Sequence, residues 1–354
     1  MKKMITIVTL FVMALFFVPF GKNVLLSQNK VLQPQKILRP IQVKPLVLKQ
    51  RVMAYEALPV ERVTKKGGRE ALERLQRVSS SKVQFQNVRN RKGRLLYTTA
   101  GDPSAVFDID QKTGSFLLNY GLKKYAKKGS TKRLPASAEA RELARKHLAE
   151  TGYLPKNEQE LVVAHVGGLN MAAAKDGRPM GTYKKLVTVQ FSRVLNGMPV
   201  QGPGSRVVVH LGENGAMAGM IRNWPEVKAV GISAAELKND SALEEEKQMR
   251  LRKLAGEARD VRVQKSKRVL YDDGMGRIEP AMYVVANAFY EGPGGDGMVQ
   301  IPVDFYVPLL KQPKALFPYM KSFEAKEPGG DNQQKTIKSL QPIGTGGKDR
   351  TDMK

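Results

Sequence analysis

Apolar residues recur at the three- and four-residue spacing of an amphipathic helix in three stretches of the chain. These stretches are residues 68–78, 137–151 and 233 to about 258. The third stretch opens with Ser233, and Glu236 follows three residues later, which is the pattern of a capping box. We therefore expect three helices, each with one apolar face that needs a partner.

Between these helices the pattern changes to short runs of β-branched and aromatic residues, bounded by turn residues. The segment TVQFSRVLNGMPVQGPGSRVVVHLGENGAMAGMI contains three such runs, separated at Asn196-Gly197 and Asn214-Gly215. Asn and Gly accept the positive φ values that two-residue hairpin turns require. Hairpins that follow each helix predict an α+β fold in which antiparallel sheets cradle helices.

The beginning of the chain has the pattern of a targeting segment. A double lysine precedes an uncharged, strongly apolar stretch within residues 1–21. This pattern is typical of a signal peptide or of a membrane anchor, and both alternatives remain open because no A-x-A cleavage site follows. We expect an exported protein of the cell envelope or the extracellular space.

Two further segments lie outside the region of regular periodicity. Residues 22–60 alternate Lys or Arg with aliphatic residues and prolines, which predicts an extended spacer. The apolar residues of this spacer also fit an edge strand that packs on the folded body. Residues 311–354 lack apolar periodicity, which predicts a disordered tail.

Charge divides the middle of the chain into two parts. The formal net charge of the 354 residues is +26. Residues 61–134 contain 18 basic and six acidic side chains, whereas residues 135–310 contain 23 and 21. We therefore expect a basic unit of one helix plus hairpins at residues 61–134 and a nearly neutral α+β region at residues 135–310. The basic excess indicates an anionic partner, such as envelope polysaccharide, nucleic acid or lipid headgroups of a membrane surface; plain solubility is the alternative.

One stretch of the basic unit, LKKYAKKGSTKR, contains six cations and no acid. Like charges four residues apart on a helix repel each other by roughly a few tenths of a kcal/mol unless an anion relieves them. We take this stretch as the candidate anion-binding site, and a solvated linker is the alternative. Its cations are Lys123, Lys124, Lys127, Lys128, Lys132 and Arg133. If the site lies elsewhere, Arg89–Arg94 and the Lys22–Arg51 part of the spacer are the next candidates.

A motif in the α+β region resembles a known family. The pattern R-x-x-N-G-x-P-V-x-G-x-G-S at residues 193–205 is followed by a Val-rich run, by L-x-x-N-G and by Trp224. This succession, with the later YDDGMGRIEPAMYVV and DFYVP, resembles the FTP and PepSY propeptide region of thermolysin-like metalloproteases. The resemblance covers about residues 135–310. It implies a non-catalytic module with PepSY/cystatin-like units, of the kind that accompanies, inhibits or helps to fold peptidases.

The resemblance also suggests how a partner would dock. The chain contains no H-E-x-x-H motif and ends soon after the module, so we expect regulation of a separate envelope peptidase, in trans. Prolines and glycines disrupt ladder hydrogen bonds and favour edge strands, and an edge strand can pair with an extended partner segment. The candidate edge strand comprises Met198, Pro199, Val200, Gln201, Gly202 and Ser205.

The residues that carry catalysis are otherwise sparse. The chain has no cysteine, which excludes disulfides and thiolate metal sites. Its three histidines, His147, His165 and His210, lack the spacing of a metal site. Asp108 and Asp110 begin like a calcium loop, but a lysine occupies the next ligand position, which favours a hairpin turn. We expect no enzymatic activity and no cofactor.

Overall fold

The computed structural model describes residues 52–79, 83–120, 125, 129–175, 178–292 and 297–318. All of them belong to one compact unit, Gln50–Lys354. The predicted signal peptide or anchor, most of the spacer and most of the tail lie outside the described residues. Within the described residues, no helix is long and apolar enough to cross a membrane.

Three α-helices are present in the described part of the chain: α1, Lys65–Gln76; α2, Ser137–Glu150; and α3, Asp240–Ala255. Helix α1 begins before the first residue of the predicted stretch because the Thr64 side chain caps it, accepting a hydrogen bond from Gly67 N at 3.1 Å.

The third helix begins later than its sequence pattern predicts. Ser233 and Glu236 do form the expected capping box, with Ser233 N donating to the Glu236 carboxylate at 2.9 Å. That box closes only a short 3-10 turn, Ala234–Glu236. A second cap then starts α3, since the Asn239 side chain accepts from Ala242 N at 2.8 Å.

Fourteen strands contain nearly half of the described residues, and they join in one sheet. Their bounds are β1 Met53–Ala57, β2 Asn87–Arg91, β3 Arg94–Thr98, β4 Val106–Asp110, β5 Phe116–Asn119, β6 Leu161–Lys175, β7 Arg178–Leu195, β8 Met198–Gln201, β9 Arg206–Leu211, β10 Met217–Asn223, β11 Val227–Gly231, β12 Asp260–Asp272, β13 Arg277–Glu291 and β14 Met298–Pro308. The strand order is β11-β1-β13-β12-β8-β7-β9-β10-β5-β4-β3-β2, with β6 on β7 and β14 on β13. Strands β8 and β12 run parallel.

The predicted fold class, antiparallel sheets that cradle helices in PepSY/cystatin-like units, is wrong. The described structure is dominated by one large mixed sheet, and the three helices only pack against parts of it. Local patterning predicts hairpins correctly, but it does not show that β5 pairs with β10 or that β8 pairs with β12. These long-range pairs join the separate hairpins into a single sheet.

The largest hydrophobic core lies between the sheet and helices α1 and α2. Leu75 of α1 and Leu148 of α2 are fully buried there against strand residues such as Tyr97, Phe107 and Phe191. The core therefore contains side chains from both sides of residue 135, where the charge composition changes. Side chains of this size contribute roughly 2 kcal/mol each on burial.

Two smaller cores lie on opposite faces of the β12–β14 part of the sheet. On one face, Leu251 of α3 packs with Val284 and Phe305. On the other face, Phe317 returns over the sheet and stacks on Tyr271, with ring centroids 4.5 Å apart. The first residues of the predicted tail are therefore part of the folded structure.

The two Asn-Gly pairs behave differently. Asn196 and Gly197 have φ values of 48° and 75°, and Leu195 pairs directly with Met198. This confirms the two-residue turn between β7 and β8. Asn214 also has a positive φ, 55°, but β9 ends at Leu211 and β10 begins at Met217, so the two-residue turn predicted at Asn214-Gly215 is wrong.

Candidate anion-binding surface

The structure describes only part of the lysine-rich candidate site. Lys123, Lys124, Lys127 and Lys128 lie outside the described residues. Lys132 and Arg133 are exposed, and the Arg133 guanidinium lies 3.8 Å from the carboxylate of Glu213. The anion-binding role of this stretch stays a prediction.

A second group of cations meets around Gln111, which is 6% exposed. Its main-chain N donates to Gly93 O at 2.9 Å, in the β2–β3 turn, and its O accepts from Val63 N, just before α1, also at 2.9 Å. Its side chain donates to Val63 O at 3.0 Å and accepts from Asn90 Nδ2 at 3.1 Å. Gln111 therefore holds the start of α1 against the tip of the β2–β3 hairpin.

The cations that this junction brings together are exposed. We call them the basic end: Arg62, Lys65, Lys66, Arg89, Arg91 and Lys92. None of them forms an ion pair within 4.0 Å with another described residue, whereas the neighbouring Arg94 contacts the carboxylates of Asp108 and Asp110 at 2.9 and 3.3 Å. The basic end is thus a surface of unpaired positive charge.

The first turn of α1 increases this positive potential. It contains Lys65 and Lys66 and no acidic residue. The exposed N–H groups at a helix N-terminus already carry a partial positive charge, which normally favours Asp or Glu there. Two lysines at this position cost a little stability in the free protein, and a bound anion would offset that cost.

The candidate edge strand is not a free edge in the structure. Strand β8 lies between β7 and β12: Pro199 pairs with Val194, and Val200 pairs with Leu270. Backbone groups on both sides of β8 therefore already have partner strands. A partner that adds a strand would need a different edge of the sheet.

The Gly-Pro-Gly-Ser stretch after β8 packs against the end of β12. A Cβ atom at Gly202 would lie 2.3 Å from the main-chain O of Asp272, and one at Gly204 would lie 2.1 Å from the Asp272 carboxyl group. Ser205 and Asp272 are both 1% exposed. This part of the motif therefore closes the packing between β8 and β12.

The three histidines lie on different elements: His147 on α2, His165 on β6 and His210 on β9. His147 Nε2 is 2.9 Å from Gly215 O, and His210 Nδ1 is 3.0 Å from the hydroxyl of Thr188. Burial lowers the pKa of His210 to about 4, so its ring is neutral at pH 7. Within the described residues no group of three or more His, Asp or Glu side chains could hold a metal ion.

The Asp110 turn has the hairpin form that its sequence predicts. The Asp110 carboxylate accepts hydrogen bonds from Lys112 N at 2.8 Å and from Thr113 N at 2.9 Å. These bonds close the turn between β4 and β5, which pair directly. The side chain of Asp110 is thus committed to turn geometry.

The sequence indicated only one half of the basic end, residues 89–94, and only as a second choice, because the two halves are far apart along the chain and meet only through Gln111. The signal for that half is RNRKGR, which places four cations around a turn glycine. Patterns also missed the ion pair in which Arg193, 3% exposed, donates from Nε to Glu160 at 2.7 Å.

Comparison with known proteins leaves the family of this chain open. No protein-family model and no curated protein matches it. Among solved structures, an uncharacterized protein from Eubacterium rectale ATCC 33656 shares 12% identity at a TM-score of 0.45, over 74% of this chain and 84% of that chain. The Bacillus megaterium YpeB C-terminal domain shares 12% identity at a TM-score of 0.32, over 71% and 95%. Neither TM-score is high enough to support an argument about the fold or the function of this chain.

Proposed function

We propose that this protein is a non-catalytic binding protein that holds an anionic polymer on the basic end. The observation that carries the proposal is the convergence of α1 and the β2–β3 hairpin at Gln111, which gathers exposed cations without carboxylate partners among the described residues. Such a surface attracts phosphate, sulfate or carboxylate groups mainly through charge. An exported chain would meet such groups on envelope polysaccharide.

The proposal predicts a steep dependence of affinity on salt. Each cation that neutralises an anionic group releases a counterion, so the logarithm of affinity falls linearly with the logarithm of salt concentration. We expect Arg89→Gln, Arg91→Gln and Lys92→Gln together to flatten that slope by about 2 to 3 and to weaken binding at least tenfold at low salt. The measurement is titration of the full chain with heparin and with double-stranded DNA across a salt series.

A charge-matched variant serves as the control. Arg141, Lys156 and Arg252 are exposed cations of other parts of the chain, without ion pairs to described residues. Replacing these three by Gln removes the same charge and should leave the salt slope nearly unchanged. If both triple variants flatten the slope equally, net charge rather than the basic end drives binding, and the proposal fails.

A further variant tests whether the lysines of the LKKYAKKGSTKR stretch also contact the polymer. Replacing Lys123, Lys124, Lys127 and Lys128 by Gln should flatten the slope only if these side chains contact the same polymer. The melting temperature of each variant should match that of the original protein, because all of the described side chains concerned are exposed.

A second candidate function is regulation of an envelope peptidase in trans. Besides the PepSY-like resemblance, one feature of the structure favours it: β14 is a regular edge strand. Within the described residues it pairs only with β13, over eleven successive residue pairs without a bulge. Val299 and Ile301 are each 45% exposed on it. A long regular edge is a template for an extended partner segment.

The second candidate has its own test. The full chain at micromolar concentration should slow a thermolysin-like protease, and the double variant Val299→Lys, Ile301→Lys should not, since charges on an edge strand oppose strand addition. The control is Val163→Lys on β6, whose pairing with β7 is interrupted by register shifts. Unchanged proteolysis in the presence of the original protein would contradict this function and leave the polymer-binding proposal unaffected.

A further inference from the structure

Two arginines contact the same tyrosine ring at one end of the main core. The guanidinium carbon of Arg74, in the last turn of α1, lies 5.7 Å from the ring centroid of Tyr153. That of Arg222, near the end of β10, lies 5.3 Å from it. The two guanidinium carbons are therefore at most about 11 Å apart, the sum of these distances. Tyr153 itself is held by Phe116, at a centroid distance of 4.8 Å.

Arg222 has no polar partner among the described residues. Its Nε atom is buried and makes no hydrogen bond, and no carboxylate of a described residue lies within 4.0 Å of its guanidinium group. Its Nη1 and Nη2 atoms also make no hydrogen bond to a described residue, and they are not among the buried unsatisfied atoms, so they reach solvent. Because a guanidinium group carries five N–H donors, several donors of Arg222 are available to a ligand.

The neighbouring Arg193, by contrast, has hydrogen-bond acceptors for its guanidinium group. Its Nε donates to Glu160 at 2.7 Å, and its Nη1 donates to Pro225 O at 2.7 Å. Its guanidinium also lies over the Trp224 ring, at 4.9 Å. The sheet thus provides Arg193 with a carboxylate in direct contact, whereas the only carboxylate of a described residue that acts on Arg222, that of Glu226, lies farther than 4.0 Å away.

The surroundings of Arg222 disfavour its positive charge. Burial lowers its pKa, and the positive charge of Arg193 lowers it further, while Tyr153 and the more distant carboxylate of Glu226 act in the opposite sense. Arginine keeps its charge in proteins, so this cost appears as lost stability in the free protein. An anion next to Arg222 would remove most of that cost.

We propose that Arg222 and Arg74, around the ring of Tyr153, form a discrete binding site for an oxyanion, a phosphate or carboxylate group of a ligand. Guanidinium groups bind both kinds of oxyanion through paired N–H donors, and the exposed side chain of Arg74 can move toward the anion that Arg222 holds. Arg74 is nine residues from Lys65, about 14 Å along the helix axis. The site is therefore separate from the basic end and does not depend on the proposed polymer binding.

The test measures the thermal stability of the full chain in inorganic phosphate and in acetate, with chloride added so that ionic strength stays constant. We expect phosphate to raise the melting temperature of the original protein, because a ligand that binds only the folded state stabilises it. Arg222→Gln should remove that rise, and Arg74→Gln should weaken apparent phosphate affinity severalfold. In chloride alone, Arg222→Gln should melt at the same temperature as the original protein or higher, since an unpaired buried charge is gone.

The control is Arg77→Gln, which removes an exposed cation of the same helix end without a ring contact. It should keep the full phosphate response. Acetate in place of phosphate distinguishes a carboxylate site from a phosphate site by the size of the rise.

A second measurement keeps the proposal testable if Arg222→Gln does not fold. Phosphate should shift the Nε–H resonances of two arginines in the ¹⁵N spectrum of the original protein, and Arg74→Gln should remove one of them. A phosphate response that is absent in the original protein, or equal in the original protein and Arg222→Gln, would overturn the site. A lower melting temperature of Arg222→Gln in chloride would show that Arg222 stabilises the free fold, and it would overturn the premise that its charge awaits an anion.

Discussion

Gly202→Ala is expected to destabilise the protein by about 3 kcal/mol or more, even though it adds a single methyl group. Gly202 has a φ of 103°, which a residue with a Cβ atom rarely adopts. The added Cβ would also lie 2.3 Å from the main-chain O of Asp272 and 2.9 Å from the ring of Tyr271. The first contact is with backbone, so relief requires β8 and β12 to separate. Urea unfolding followed by circular dichroism measures the loss.

The matched control for this substitution is Gly197→Ala. Gly197 also has a positive φ, 75°, but a Cβ atom there would meet no heavy atom within 4 Å. It therefore isolates the cost of the backbone conformation, about 1 kcal/mol. If both variants lose the same free energy of unfolding, the close packing of Gly202 against β12 contributes nothing.

This contrast explains the structural role of the motif at residues 193–205, on which the family resemblance rests. The sequence shows that residues 193–205 are rich in turn residues, and the hairpin at Asn196-Gly197 forms as predicted. It does not show that the glycines after Val200 serve close packing on a strand formed much later in the chain, at Tyr271 and Asp272. The motif that suggested an edge strand is instead the place where the two parts of the sheet meet.

Local chemistry predicts the helices better than the sheet. Ala140, Ala144 and Leu148 of α2 are all fully buried, as their spacing predicts. Helix hydrogen bonds and capping are local, so the sequence determines them nearly residue by residue. Strand partners are chosen by side chains that are far apart along the chain, and the pairing of β5 with β10 has no local signal.

The candidate anion-binding surface is likewise predictable only in part from the sequence. A basic excess before residue 135 is visible in the composition, but the position of the unpaired cations depends on Gln111, an uncharged and buried residue that no charge pattern would single out. Similarly, Arg222 and Arg193 have the same side chain, and only the structure shows that one is paired with Glu160 and the other has no such partner among the described residues.

The second large expected effect is the loss of stability when Arg193 loses its ion-pair partner. Glu160→Ala should destabilise the protein by about 3 kcal/mol, because it removes the ion-pair partner of Arg193, whose side chain is 3% exposed. The Glu160 side chain is 21% exposed, so solvent reduces the loss below that of a fully buried pair. Trp224 is the only tryptophan of the chain and lies against Arg193, so its fluorescence during urea unfolding reports on this site directly.

Glu158→Ala is the control for this pair, since Glu158 forms an ion pair of similar length with Arg145, at 2.8 Å, but is 55% exposed. Exposed pairs contribute about 0.5 kcal/mol or less. Replacing both partners of the buried pair, with Glu160→Leu and Arg193→Met, should recover most of the loss because no uncompensated charge remains. A double variant no more stable than Glu160→Ala would contradict the charge explanation and would show that the hydrogen bond from Arg193 to Pro225 O and its contact with Trp224 carry the stability.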